Sequence, residues 1–74
     1  MWYEGTVTIK GTEYKYFAKV YDISSIFGIN NSRISKLSIK DGKKLVVNYD
    51  RGWDVRPKRA AHKKTLEIIL DMYK

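Results

Sequence analysis

The sequence contains no cysteine. That excludes a disulfide framework, a thiolate metal site and a thiol nucleophile. It holds a single histidine, His62, so a zinc site built from paired histidines is excluded as well. The only proline is Pro57, and no Pro- or Gly-rich linker divides the 74 residues. A chain of that length forms one domain, residues 1–74, and buries only roughly 60% of its unfolded surface. No apolar run approaches the ~18 residues of a membrane span. The opening MWYEGTV lacks the basic and apolar regions of a secretory signal. A soluble, full-length cytoplasmic protein that does not enter the membrane is the expectation.

Acid is scarce too. Eight acidic residues face fifteen basic ones, a net charge of +7. Such a field draws polyanions and acidic protein surfaces; solubility through charge is the other reading.

What is present alternates. Tyr3, Val7 and Ile9 form one apolar row, and Tyr14, Tyr16, Ala18 and Val20 a second. Period-2 patterning of this kind marks strands with one face on a core. A Gly11-Thr12 loop, with glycine at the positive-φ position of a type II′ turn, sets Ile9 against Tyr14 and Val7 against Tyr16. The outer face then pairs Lys10 with Glu13, Glu4 with Lys19, and Trp2 with Tyr21. A second hairpin runs from Ile34 to Asp50, with Leu37, Ile39, Leu45, Val47 and Tyr49 inward. A Lys40-Asp41-Gly42 loop with a glycine bulge places Leu37 opposite Leu45. Between the hairpins, DISSIFGINNSR mixes turn residues with Ile23, Ile26, Phe27 and Ile29, which predicts an ordered loop with one helical turn folded over the core.

The segment PKRAAHKKTLEIILDMYK reads as a helix, with Pro57 in its first turn and Asp54 as a nearby cap. Its apolar arc comprises Ala61, Thr65, Leu66, Ile68, Ile69, Leu70, Met72 and Tyr73. The predicted fold is α+β and two-layered: a four-stranded antiparallel sheet of two hairpins, with one C-terminal helix on one face (β-β-β-β-α).

Catalytic and cofactor chemistry finds little purchase. His62 falls within the apolar arc, where a packed core histidine is expected. No serine stands in a nucleophile elbow and no glycine-rich loop precedes the helix. Asp50 and Asp54 read as a turn braced by Arg51 and Arg56 more readily than as a metal site. A non-enzymatic protein without cofactor or metal is expected.

Three surfaces carry binding potential. Arg51, Arg56, Lys58 and Arg59 surround the helix start, where cations oppose the helix dipole. Either an anion sits there, met by free N–H groups and guanidinium groups together, or Asp50 and Asp54 neutralise the arginines. The outer sheet face carries Trp2, Phe17 and Tyr21 beside Lys15, Lys19, Lys36 and Lys44. Aromatic rings among lysines suit a single nucleic-acid strand, and equally a homo-oligomer interface with a basic rim. Trp53 reads as a plug beneath the helix, with ligand stacking the alternative.

At GINNSRISKLSI and VVNYDRGWDVRP the chain resembles a family of small uncharacterised proteins from Firmicutes phages and integrated mobile elements. The matching elements are a Gly/Asn loop running into a strand, Gly28 to Leu37, and a YDRGWD turn, Tyr49 to Asp54. The resemblance implies a phage setting within a bacterial host and supplies no catalytic residues. The expected function is therefore a mobile-element protein that engages nucleic acid or another polyanion through its basic surface. The alternative is an anti-defence inhibitor that docks on a host defence protein or sequesters an anionic nucleotide signal.

Overall fold

The computed structural model describes residues 1–24, 26 and 28–74. The element order is β1 (Trp2–Ile9), β2 (Thr12–Val20), a 3-10 turn (Ile29–Asn31), β3 (Ile34–Asp41), β4 (Lys44–Asp50), β5 (Trp53–Val55) and α1 (Ala60–Met72). The strands form one antiparallel sheet in the order β1-β2-β3-β4-β5. The fold is α+β with one C-terminal helix. It has five strands where four were expected, because Trp53–Val55 folds back onto β4 and pairs Val55 with Asn48 and Trp53 with Tyr49. Three residues are too few to show an alternating pattern, so β5 left no periodic signal.

The first hairpin differs in register. Val7 faces Tyr14, Ile9 faces Thr12 and Trp2 faces Lys19. The loop is Lys10-Gly11, with φ of 48° and 84°. Positive φ at both central residues is the type I′ arrangement, whose twist matches that of the strands. Sliding the pairing by two residues keeps every side chain on its predicted face. It dissolves the expected Lys10–Glu13, Glu4–Lys19 and Trp2–Tyr21 pairs.

The second hairpin turns at Gly42-Lys43, with Gly42 at φ 60°. Leu37 faces Tyr49 and Ile39 faces Val47, then the register shifts and Lys40 faces Leu45. Val46 is the extra residue of this bulge, and it is buried while Leu45 is exposed. The inward role expected of Leu45 therefore belongs to Val46. A second irregularity, at Lys19/Val20, lets Ile34 and Ser35 both turn inward.

The core joins Val7, Tyr14, Tyr16, Ala18, Val20, Leu37, Ile39, Val47 and Tyr49 from the sheet to Leu66 and Ile69 from α1. Each large side chain so covered contributes roughly 1.5–3 kcal/mol. The linking loop makes its helical turn, and Ile29 is fully buried. Ile23 and Ile26 are exposed, contrary to a cover over the core, and Phe27 lies outside the described residues. Helix α1 starts later than predicted: its N-cap is Arg59 with no side-chain cap, and Pro57 lies ahead of it. Met72, placed on the apolar arc, is half exposed at the helix end. Because α1 covers a single face of the sheet, the opposite face is left open.

Candidate nucleic-acid interface and basic recess

The open face is built by even-numbered residues of β1 and β3 and odd-numbered residues of β2. Strand β2 is central to it and carries Lys15, Phe17 and Lys19, while β3 carries Lys36, Ser38 and Lys40. The register sets Lys15 against Lys40, Phe17 against Ser38 and Lys19 against Lys36. Two lysine–lysine pairs thus flank a phenylalanine. Like charges directly opposite one another across a strand pair destabilise a sheet. Lys40 was absent from the predicted patch, although alternation along β3 from Lys36 through Ser38 would have placed it there.

Trp2 lies edge-on to Phe17, with ring centroids 6.1 Å apart. The Lys19 ammonium sits 5.9 Å from the Trp2 ring and 5.4 Å from the Tyr21 ring. Trp2, Phe17 and Tyr21 nevertheless remain 52%, 45% and 37% exposed. A concavity of about 280 Å³ opens beside Trp2 and Phe17, lined also by Lys36, Ser38, Asn48 and Asp50. Asp50 lies 3.6 Å from the Lys36 ammonium, the ion pair found on this side among the described residues. Asp54, expected near the helix cap or an arginine, instead accepts a hydrogen bond from Asn48 Nδ2 at 3.0 Å.

Lys44 does not belong to this face. The bulge in β4 carries it to the helix side, where it lines a recess of about 180 Å³ with Val55, Arg56, Lys58, Arg59 and His62. Of the four residues predicted around the helix start, Arg56, Lys58 and Arg59 meet here. Arg51 does not line it. Its φ is 57° and its N–H donates to the Ser35 carbonyl at 3.0 Å, at the far end of β4 and β5. Extended β5 separates the two arginines, which a compact turn would have joined. Among the described residues none of these four cations forms an ion pair with a carboxylate. Neutralisation by Asp50 and Asp54 is therefore not the arrangement found.

Trp53 is half-buried. It packs edge-on to Tyr49 at 5.1 Å, and the Arg56 guanidinium stands 5.4 Å from its ring. His62 is buried against Tyr14, ring to ring at 5.6 Å. Its pKa is held below the usual imidazole value, first by desolvation and then by Arg59 and Lys44, with Asp41 opposing. The first turn of α1 contains no acidic residue. Among the described residues no group of three or more His, Asp or Glu could hold a metal ion, and no helix is long and apolar enough to cross a membrane.

No curated protein and no solved structure matches the chain. A family match covers residues 1–74. The chain belongs to the family described as a domain of unknown function, DUF7678.

Proposed function

We propose that this protein is a non-enzymatic binding protein whose open sheet face takes single-stranded nucleic acid. The observation that carries this reading is the arrangement on β2 and β3: Lys15 opposite Lys40 and Lys19 opposite Lys36, with Phe17 between them. A sheet selected for stability alone would set opposite charges across these positions. A phosphate backbone relieves the repulsion, while Phe17, Trp2 and Tyr21 offer ring faces for bases to stack on, worth roughly 1–3 kcal/mol per base.

The same lysines count against a homo-oligomer through this face. A two-fold interface would bring each positive patch against its own copy, four lysines facing four.

The test is fluorescence anisotropy with short single-stranded DNA and RNA at two salt concentrations. Binding at ~50 mM salt that weakens steeply towards 200 mM is expected, because phosphate contacts release counterions. No binding to any strand at the lower salt would sink the reading.

A further inference from the structure

We infer that the recess at the start of α1 is a separate site for a phosphate monoester. Four cations border it, Lys44, Arg56, Lys58 and Arg59, and none has a carboxylate partner among the described residues. Arg56 also stands 5.4 Å from the Trp53 ring.

A second and independent feature is His62. It is only 6% exposed, lines the recess, and its ring makes no hydrogen bond to the described residues. Its ring nitrogens are not among the fully enclosed unpartnered polar atoms, so a ligand in the recess can reach them and supply the partner the protein does not. Helix α1 adds donors of its own. The backbone N–H groups of Ala60, Ala61 and His62 have no partner within the helix, since the first such bond runs from Lys63 N–H to the Arg59 carbonyl. Imidazole, ammonium and guanidinium groups thus border one small space beside the helix start, and the first turn of the helix adds no carboxylate.

Size and charge select the ligand. A recess of about 180 Å³ falls below the roughly 300–1,000 Å³ of pockets that enclose drug-sized molecules, so it seats a group rather than a whole molecule. A dianion with several acceptor oxygens matches a set made of donors and positive charge, and arginines address phosphate oxygens in pairs. Among the described residues Asp41 is the one carboxylate acting on His62, facing it together with Tyr14, Lys44 and Arg59. It leaves the site cationic. Such a group comes either from the end of a nucleic-acid strand or from a free mononucleotide.

The experiment follows the His62 ring by NMR during titration with inorganic phosphate, against chloride at matched ionic strength. Phosphate is expected to shift the His62 resonances saturably and to raise the imidazole pKa, while chloride does neither. His62→Phe, which keeps the packing on Tyr14, should weaken phosphate binding about tenfold, the loss of one charge-assisted hydrogen bond, without lowering the melting temperature. Arg59→Asp should abolish binding while raising that temperature, which separates lost binding from lost folding. Phosphate no more effective than chloride, or unchanged affinity in either variant, overturns the proposal.

Two further arms identify the source. A 5′-phosphorylated oligothymidylate binding more tightly than its 5′-hydroxyl form assigns the recess to strand ends. Equal affinity of the two strands, with a 5′-mononucleotide still shifting His62, assigns it to free phosphomonoesters. The phosphate titration is indifferent to the open sheet face, so failure there leaves this site standing, and the reverse.

Discussion

The hydroxyl oxygens of Tyr16 and Tyr73 lie 2.7 Å apart and join the centre of β2 to the end of α1. Tyr3 packs against the Tyr73 ring at 5.1 Å, and the three rings pin the helix C-terminus to the sheet. Desolvation, and then the hydrogen bond to Tyr16, push the Tyr73 pKa up to about 12 from 10.0. The neutral phenol is therefore favoured in the fold. Its contribution is intact below pH 10 and is lost as pH rises towards 12, because the unfolded chain ionises first. Denaturant midpoints should fall across that window. Tyr73→Phe should cost about 1 kcal/mol at neutral pH and flatten the alkaline fall. An unchanged pH profile in the variant would remove Tyr73 from the account.

Arg59 occupies the N-cap with extended backbone and no cap to offer. Aspartate there supplies both a cap and charge of the sign the helix dipole favours. Arg59→Asp should raise stability by about 1 kcal/mol in urea denaturation. A variant that is more stable yet binds phosphate worse would show that the cation is kept for binding.

Lys10 holds a left-handed conformation at φ 48° in the β1–β2 turn. Asparagine adopts that region more readily, and Asn-Gly is the preferred type I′ pair. Lys10→Asn should stabilise the fold by about 0.5 kcal/mol, visible as a higher melting temperature. A lower one would show that the turn is of another type.

Gly28 is buried beside the 3-10 turn, and a Cβ there would overlap the Ser32 carbonyl oxygen. The obstacle is backbone, which cannot rotate away as a side chain would. Gly28→Ala should cost about 3 kcal/mol, the upper end of overpacking effects. Gly52, whose added Cβ would meet open space, is the control and should tolerate the same change.

On the open face, Phe17→Ala and Trp2→Ala should each weaken oligonucleotide binding by about 1–3 kcal/mol. Both side chains are about half exposed, so melting temperatures should move little. Lys40→Glu should relieve repulsion with Lys15, raise stability slightly and reduce the salt slope of binding. Binding unaffected by all three would move the nucleic-acid site off this face.

Alternation along β1, β2, β3 and the second half of β4 decided by itself which side chains face the helix, because a period of two allows only two faces. It also placed His62 in the core arc and Trp2, Phe17 and Tyr21 on the open side, since those positions follow from periodicity alone. Register was beyond its reach: shifts of two residues leave the pattern intact, and backbone twist at Lys10-Gly11 chose among them. Local chain geometry likewise sent Lys44 to the recess and Arg51 away from it. A bulge at Val46 reverses the side on which Lys44 lies, and a three-residue strand, β5, holds Arg51 apart from Arg56. Charge composition raised the expectation of an anionic partner and could not say where one would sit. Which lysines stand together, and which histidine faces them, depended on pairings between strands distant in sequence, where hydrogen-bond geometry rather than side-chain pattern has the final say.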